Sequence, residues 1–176
     1  MTQACGVDLC DLLDVDRDRL RSLIKTLAAA ELTVATAESL TAGLVAATLT
    51  EIPGASAVVR GGIVCYATDL KRSLVGVDDA LLIERRAVDP DVARQLARGA
   101  RIRCGANIGI GLTGVAGPDP QDGKPAGTVF IALDDGQAQP APVRALAPAP
   151  GRRSRWEVRA AAVRAALELL AAAAGL

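Results

Sequence analysis

The chain has 176 residues, enough for one domain with a sizeable core. Hydrophobic residues make up 51% of it and aromatic residues only 2%, so the core must be built mainly from Ala, Val, Leu and Ile. The 20 basic and 20 acidic side chains balance, which argues against a nucleic-acid-binding surface, and no apolar run is long enough to span a bilayer.

The N-terminal part of the chain combines helical and extended patterns. Apolar residues recur at helical spacing over 8–30, which predicts one or two amphipathic helices. A β-branched run over 32–37 predicts a buried strand. The apolar residues that follow predict a helix over 38–52, which Pro53 ends.

The next segments repeat this alternation. A strand is expected within 57–68 and a short helix over 69–77. Asp89 is predicted to cap a helix over 92–105, because Pro90 suits the first helical position.

The C-terminal part contains the most apolar strand. Residues 106–114 are apolar on both faces, as expected at the centre of a sheet. Residues 114–127 hold several glycines and prolines and predict an irregular loop, followed by a strand over 128–135. No helix separates these strands, so one antiparallel pairing is expected. An edge strand over 143–146 and a long helix from 155 complete an α/β domain with a mixed, mostly parallel sheet.

Histidine is absent, which excludes Ser-His-Asp and Cys-His catalysis and any histidine-bound metal. The base of a nucleophilic hydrolase would have to be a lysine, a carboxylate, a tyrosine or the N-terminus. The cysteines form no CxxC pair and predict free thiols in a reducing, cytoplasmic compartment, without a metal site: Cys5, Cys10, Cys65 and Cys104.

Ser39 lies where a strand is predicted to become a helix, with Thr41 and Gly43 just behind it. The start of a helix offers free N–H groups and the positive end of the helix dipole, which can activate a hydroxyl or hold an anion. The alternative is that Ser39 only caps the helix.

Lys71 follows Tyr66 by five residues and is one of only three lysines, the others being Lys25 and Lys124. A lysine desolvated near the end of a buried strand can serve as the base for a serine. The alternative is an ordinary solvated lysine on a helix surface.

The glycine-rich loop follows the central strand, where successive N–H groups can form a nest for an anion. The arginines at 152, 153 and 155 precede the last helix and could hold a phosphate. The alternatives are an ordinary surface loop and solvated arginines.

Several segments together resemble the CinA C-terminal domain family: AESLTAG, CYATDLK, AVDPDVARQLARGAR, LTGVAGP and VRAAAVRAALELL. The resemblance covers about residues 17–174, with all of 1–176 taken as one domain. Stand-alone members of this family are nicotinamide-nucleotide amidases. The resemblance therefore implies a three-layer α/β/α sandwich that deamidates nicotinamide mononucleotide, with neither a cofactor nor a metal. We also expect a homo-oligomer, plausibly a dimer, that binds neither nucleic acid nor membrane.

The family's motifs assign roles to residues of this chain. Ser39 becomes the nucleophile, Lys71 its base, and Tyr66 a residue that orients Lys71 or relays a proton. The residues expected to bind substrate are Glu38, Thr41, Gly43, Thr113, Gly114, Ala116, Gly117, Arg153 and Arg155.

Departures from the family pattern leave some questions open. Ala42 and Arg86 stand where the family has glycine. The family's arginine before the last helix matches either Arg153 or Arg155, and we slightly favour Arg155. Two other functions remain open: a nucleotide-binding regulatory module without turnover, and a competence or DNA-repair accessory protein. The neutral charge balance argues against direct DNA binding.

Overall fold

The computed structural model describes residues 8–137, 141–148 and 154–176. In these residues, one five-stranded sheet runs in the order β2-β1-β3-β4-β5. In chain order its strands are β1 Val34–Glu38, β2 Val59–Val64, β3 Ile108–Gly114, β4 Val129–Asp134 and β5 Val143–Leu146.

The sheet is mixed, as predicted. β1 pairs in parallel with β2 and β3, whereas β4 pairs antiparallel with β3 and β5. The sheet thus has one antiparallel pairing more than expected. The chain between β4 and β5 is too short for the crossover that a parallel pairing needs, so β5 runs back along β4.

Helices cover both faces of the sheet. α4, α5 and α6 lie on one face, and α1, α2, α3 and α7 on the other, which confirms the three-layer arrangement. No helix in the described ranges is long and apolar enough to cross a membrane. The helices are α1 Leu9–Leu13, α2 Arg17–Ala29, α3 Leu44–Thr50, α4 Thr68–Val75, α5 Asp79–Arg85, α6 Pro90–Cys104 and α7 Arg155–Ala173.

The central strand β3 packs differently on its two faces because its residues alternate. Ile110 and Leu112 are fully buried among the apolar side chains of the layer that contains α7. Gly109 and Gly111 lie against α6, where an added Cβ would come within 2.0 Å of Ala97 O or 2.3 Å of Ala93 O. These glycines therefore let the backbone of α6 rest directly on the strand.

Two predicted helix boundaries had different outcomes. The start of α6 is confirmed, because the Asp89 side chain accepts a hydrogen bond from Asp91 N and Pro90 is the first helical residue. The helix expected from residue 38 begins later, at Leu44. Ala42 and Gly43 have φ angles of 53° and 93°, which a right-handed helix cannot accommodate. Residues 39–43 therefore form a turn.

The parallel strands end together at one edge of the sheet. Glu38, the last residue of β1, lies in register with Val64 of β2 and Leu112 of β3. In α/β sheets the carboxyl ends of parallel strands are the usual position of a ligand site. The chain segments that leave β1, β2 and β3 therefore meet at this edge.

Candidate active site

Ser39 and Lys71 are in contact at the carboxyl edge of the sheet. Ser39 directly follows β1, and its N–H donates to Leu112 O at 3.1 Å. Lys71 belongs to α4, the helix that follows β2. Its Nζ lies 3.1 Å from Ser39 Oγ, and the residue is only 1% exposed. Lys71 is thus not the solvated surface lysine of the alternative interpretation.

The surroundings of the Lys71 amine suit its neutral form. Nζ donates to Cys65 O at 2.8 Å and to Tyr66 O at 3.1 Å. Burial lowers the pKa of Lys71 below the ordinary lysine range, an effect that nearby Cys65, Asp122 and Asp69 oppose. A neutral amine has two N–H donors and one lone pair. The two carbonyls accept both donors, which leaves the lone pair for the Ser39 O–H group.

Glu38, and not Ser39, satisfies the start of α3. Its carboxylate accepts hydrogen bonds from Gly43 N at 2.9 Å, Val45 N at 3.1 Å and Ala46 N at 3.0 Å. Thr36 Oγ1 donates a further bond of 2.9 Å, and Glu38 is fully buried. These bonds occupy the lone pairs of the carboxylate. Glu38 therefore fixes the helix, the role that the capping alternative gave to Ser39, and has no free oxygen for a substrate.

A cleft of about 270 Å³ opens above Ser39 and Lys71. The glycine-rich loop forms one wall and the segment around Ala87 another. Eight of the expected site residues line this cleft: Ser39, Tyr66, Lys71, Thr113, Gly114, Ala116, Gly117 and Arg155.

Three of the remaining expected residues, Glu38, Thr41 and Gly43, do not line the cleft. Thr41 is fully buried, and Gly43 is the N-cap residue of α3, with its N–H bound to Glu38. Arg153 lies outside the described residues. Of the two candidate arginines, the structure brings Arg155 to the cleft.

Arg155 bridges two sides of the cleft mouth. One guanidinium nitrogen donates to Gly117 O at 3.0 Å and the other to Tyr66 Oη at 2.7 Å. Tyr66 contacts Lys71 through its backbone carbonyl, not through its hydroxyl. The phenol was expected to orient Lys71 or relay a proton. Its observed partner is Arg155, so the geometry gives it a role at the mouth of the cleft.

Thr113 holds a wall of the cleft in place. Its hydroxyl donates to Ala87 O at 2.6 Å, and Ala87 N donates to Asp122 Oδ2 at 3.1 Å. Thr113 is 1% exposed. Its hydroxyl is therefore committed to the Ala87 segment.

Two residues that border the cleft have backbone N–H groups without a partner among the described residues. Leu40 N and Ala116 N make no hydrogen bond to another residue in the described part of the chain, and both residues border the cleft. Such N–H groups can stabilise an oxyanion or bind a phosphate. In the same ranges, no three Cys, Asp or Glu side chains are grouped so that they could hold a metal ion.

Several contributors to the cleft were not expected from the sequence. The carbonyl of Cys65 binds Lys71, Asp119 lines the cleft, and Asp122 ties the glycine-rich loop to Ala87. These contacts use backbone atoms or join loops far apart in sequence. In the sequence, only the clustering of polar residues in the glycine-rich loop could have indicated that Asp119 and Asp122 contribute to the cleft.

Sequence comparison with known proteins relates the chain to CinA proteins. A family model of the CinA C-terminal domain matches residues 17–174. A CinA-like protein of Frankia casuarinae is 49% identical over 140 residues, which cover 78% of this chain and 31% of that protein. A CinA-like protein of Gemmatimonas aurantiaca is 42% identical over 159 residues, which cover 88% of this chain and 35% of that protein. The chain thus spans about a third of the length of the curated relatives it matches.

Solved structures match the chain over its whole length. The competence/damage inducible protein CihA from Agrobacterium tumefaciens has a TM-score of 0.83 and 37% identity, with 100% of both chains covered. A CinA superfamily protein from Escherichia coli has a TM-score of 0.81 and 28% identity, covering 100% of this chain and 95% of that one.

Proposed function

The chain belongs to the CinA C-terminal domain family, and on that premise we propose that it is an amidohydrolase. Its substrate would be nicotinamide mononucleotide, and its products nicotinate mononucleotide and ammonia. The observation that carries the proposal is the buried Lys71 amine, 3.1 Å from Ser39 Oγ and held by two backbone carbonyls. This arrangement provides the base that a chain without histidine needs to activate a serine.

The first half of the reaction forms an acyl-enzyme. Ser39 Oγ attacks the carboxamide carbon while its proton passes to the lone pair of Lys71 Nζ. When the tetrahedral intermediate collapses, the C–N bond breaks and Lys71 returns the proton to the departing nitrogen, which leaves as ammonia. An ester between Ser39 and the nicotinoyl group remains.

The second half hydrolyses this ester. Neutral Lys71 takes a proton from a water molecule that attacks the ester carbon. Collapse of the second tetrahedral intermediate breaks the bond to Ser39 Oγ, which regains its proton from Lys71. The product acid ionises and leaves as nicotinate mononucleotide. The N–H groups of Leu40 and Ala116 suit the oxyanion of both steps, and one such donor typically contributes about 3 kcal/mol.

The charged residues of the cleft suit a nucleotide. Arg155 donates one N–H to Gly117 O and one to Tyr66 Oη. The other N–H groups of its guanidinium can therefore bind a phosphate. Asp119, which also lines the cleft, would repel a phosphate placed beside it. Its carboxylate suits the ribose hydroxyls instead, as a hydrogen-bond acceptor. Under this assignment Tyr66 serves by fixing Arg155.

Product analysis tests the proposal. Purified protein incubated with nicotinamide mononucleotide should release ammonia and nicotinate mononucleotide in equal amounts. Mass spectrometry of the nucleotide and an enzymatic ammonia assay measure both products. A protein that binds the nucleotide without releasing ammonia would instead be the regulatory module considered from the sequence.

A further inference from the structure

The N-terminal part of α7 contacts the site at a second point, through Arg159, one turn after Arg155. Its Nη2 donates to Thr41 O at 3.1 Å, and the central carbon of its guanidinium lies 5.9 Å from the centre of the Trp156 ring. Thr41 belongs to residues 39–43, the segment between β1 and α3, which we call the nucleophile turn. Arg155 and Arg159 lie four residues apart and hence on the same side of α7.

The nucleophile turn is a tight structure with a strained residue. Ala42 N donates to Ser39 O at 3.1 Å, and Leu44 N donates to Thr41 O at 3.2 Å. Ala42 adopts a φ of 53°, a backbone conformation that is unfavourable for any residue with a Cβ. Strained backbone persists only where its surroundings hold it. Arg159 supplies such a contact, from a helix 118 residues further along the chain.

Stability alone does not explain an arginine at this position. Arg159 Nε and Thr41 Oγ1 are buried and have no hydrogen-bond partner among the described residues. Leaving Arg159 Nε without a partner costs free energy that an apolar side chain at position 159 would not incur.

We propose that Arg159 is a positioning residue that fixes Ser39 relative to Lys71 by holding the carbonyl of Thr41. The inference rests on the proposed function only in taking Ser39 as an activated nucleophile. Ser39 reaches Lys71 through a single 3.1 Å contact. On its N-terminal side Ser39 is held by Leu112 O, and on its C-terminal side its carbonyl accepts a hydrogen bond from Ala42 N within the nucleophile turn. Loss of the Arg159 contact should let the turn relax and separate the pair.

The test measures the reactivity of Ser39 without relying on the natural substrate. A fluorophosphonate probe labels activated serines, and mass spectrometry of the peptide that contains Ser39 gives the rate of labelling. Arg159→Met should label about ten- to a hundredfold more slowly than the wild type, as expected when reacting groups shift by about 1 Å. Arg164→Met is the matched control, because Arg164 also lies on α7 and donates to a carbonyl, Leu13 O, at 2.6 Å. It should keep the wild-type rate.

The melting temperature of each variant separates positioning from folding. If Arg159→Met does not fold, Arg159→Lys should still fold and label more slowly than the wild type.

Two results would overturn the inference and leave the proposed function intact. One is labelling of folded Arg159→Met or Arg159→Lys at the wild-type rate, and the other is an equal loss of labelling rate in Arg164→Met. Slow labelling in Arg159→Met, in a protein that does not deamidate nicotinamide mononucleotide, would support the inference and overturn only the substrate. A wild-type protein that the probe does not label would overturn both.

Discussion

At the scale of single residues, the proposed chemistry depends on a lysine that can lose its proton. Lys71→Arg keeps a positive charge and hydrogen-bond donors, but a guanidinium stays protonated and cannot act as a base. We expect this variant to be nearly as inactive as Lys71→Ala in ammonia release from nicotinamide mononucleotide. Substantial activity in the arginine variant would show that position 71 contributes only charge.

The pH dependence of the reaction tests the same residue in the unmodified protein. Burial lowers the pKa of Lys71, and the base works only when neutral. The value of kcat/KM should therefore rise with pH through this lowered pKa, at a lower pH than for an ordinary lysine. Activity should fall as the pH decreases and Lys71 gains its proton.

A variant of a neighbouring acid provides the control for this assignment. Asp122 raises the pKa of Lys71, together with Cys65 and Asp69. Asp122→Asn removes a negative charge and should shift the rising part of the profile to lower pH. A profile that does not move would mean that another group controls it.

At the scale of elements, the positions where this chain lacks a family glycine carry strained backbone. Arg86, the C-cap residue that follows α5, has a φ of 65° and a ψ of −175°, a region used almost only by glycine, and its side chain is exposed. Arg86→Gly should therefore raise the free energy of unfolding by about 1 kcal/mol in a denaturant titration.

The control for this prediction is an arginine in ordinary helical backbone. Arg98 is exposed in the interior of α6, so Arg98→Gly should lower the free energy of unfolding by about 1 kcal/mol. Destabilisation by both glycine substitutions would contradict the strain at Arg86.

The elements differ in how far the sequence determines them. The apolar run that became β3 and the Asp89-Pro90 start of α6 were predictable, because burial on both faces and capping leave local patterns. The short helix α5 was not predicted, since seven residues give little periodicity. The family motif led us to expect Glu38 at the substrate. Its capping of α3 was not predicted, because it acts across a turn at a spacing that no local capping pattern describes.

The residues of the site also differ in how far the sequence could predict their positions and contacts. The resemblance to the family named Ser39, Lys71 and Arg155, and the structure brings all three to one cleft. The contact between Arg159 and Thr41 could not be predicted, because it joins a side chain to a backbone carbonyl across most of the chain. The partner of the Tyr66 hydroxyl, 89 residues away, was hidden for the same reason.

At the scale of the whole molecule, the last helix and the glycine-rich loop should together select a phosphorylated substrate. Nicotinamide mononucleotide should exceed nicotinamide riboside in kcat/KM, and free nicotinamide should hardly react, because binding energy from remote groups supports the chemistry. Arg155→Met should lower kcat/KM for the mononucleotide about ten- to a hundredfold, as expected for one charge-assisted hydrogen bond.

The riboside is the control for this substitution. Arg155→Met should leave the value for the riboside nearly unchanged, since the riboside has no phosphate to lose. Equal wild-type values for the mononucleotide and the riboside would mean that the cleft does not recognise phosphate.

The hydroxyl of Ser39 is the group on which the whole proposed reaction depends. Because Glu38 satisfies the start of α3, Ser39→Ala removes the nucleophile without removing a helix cap, and its melting temperature should stay close to that of the wild type. The most direct test is ammonia release from nicotinamide mononucleotide by the wild type and Ser39→Ala, measured side by side. With Ser39 as the nucleophile, we expect steady release by the wild type and at least about a thousandfold less by the variant. Comparable release by both proteins would contradict this assignment.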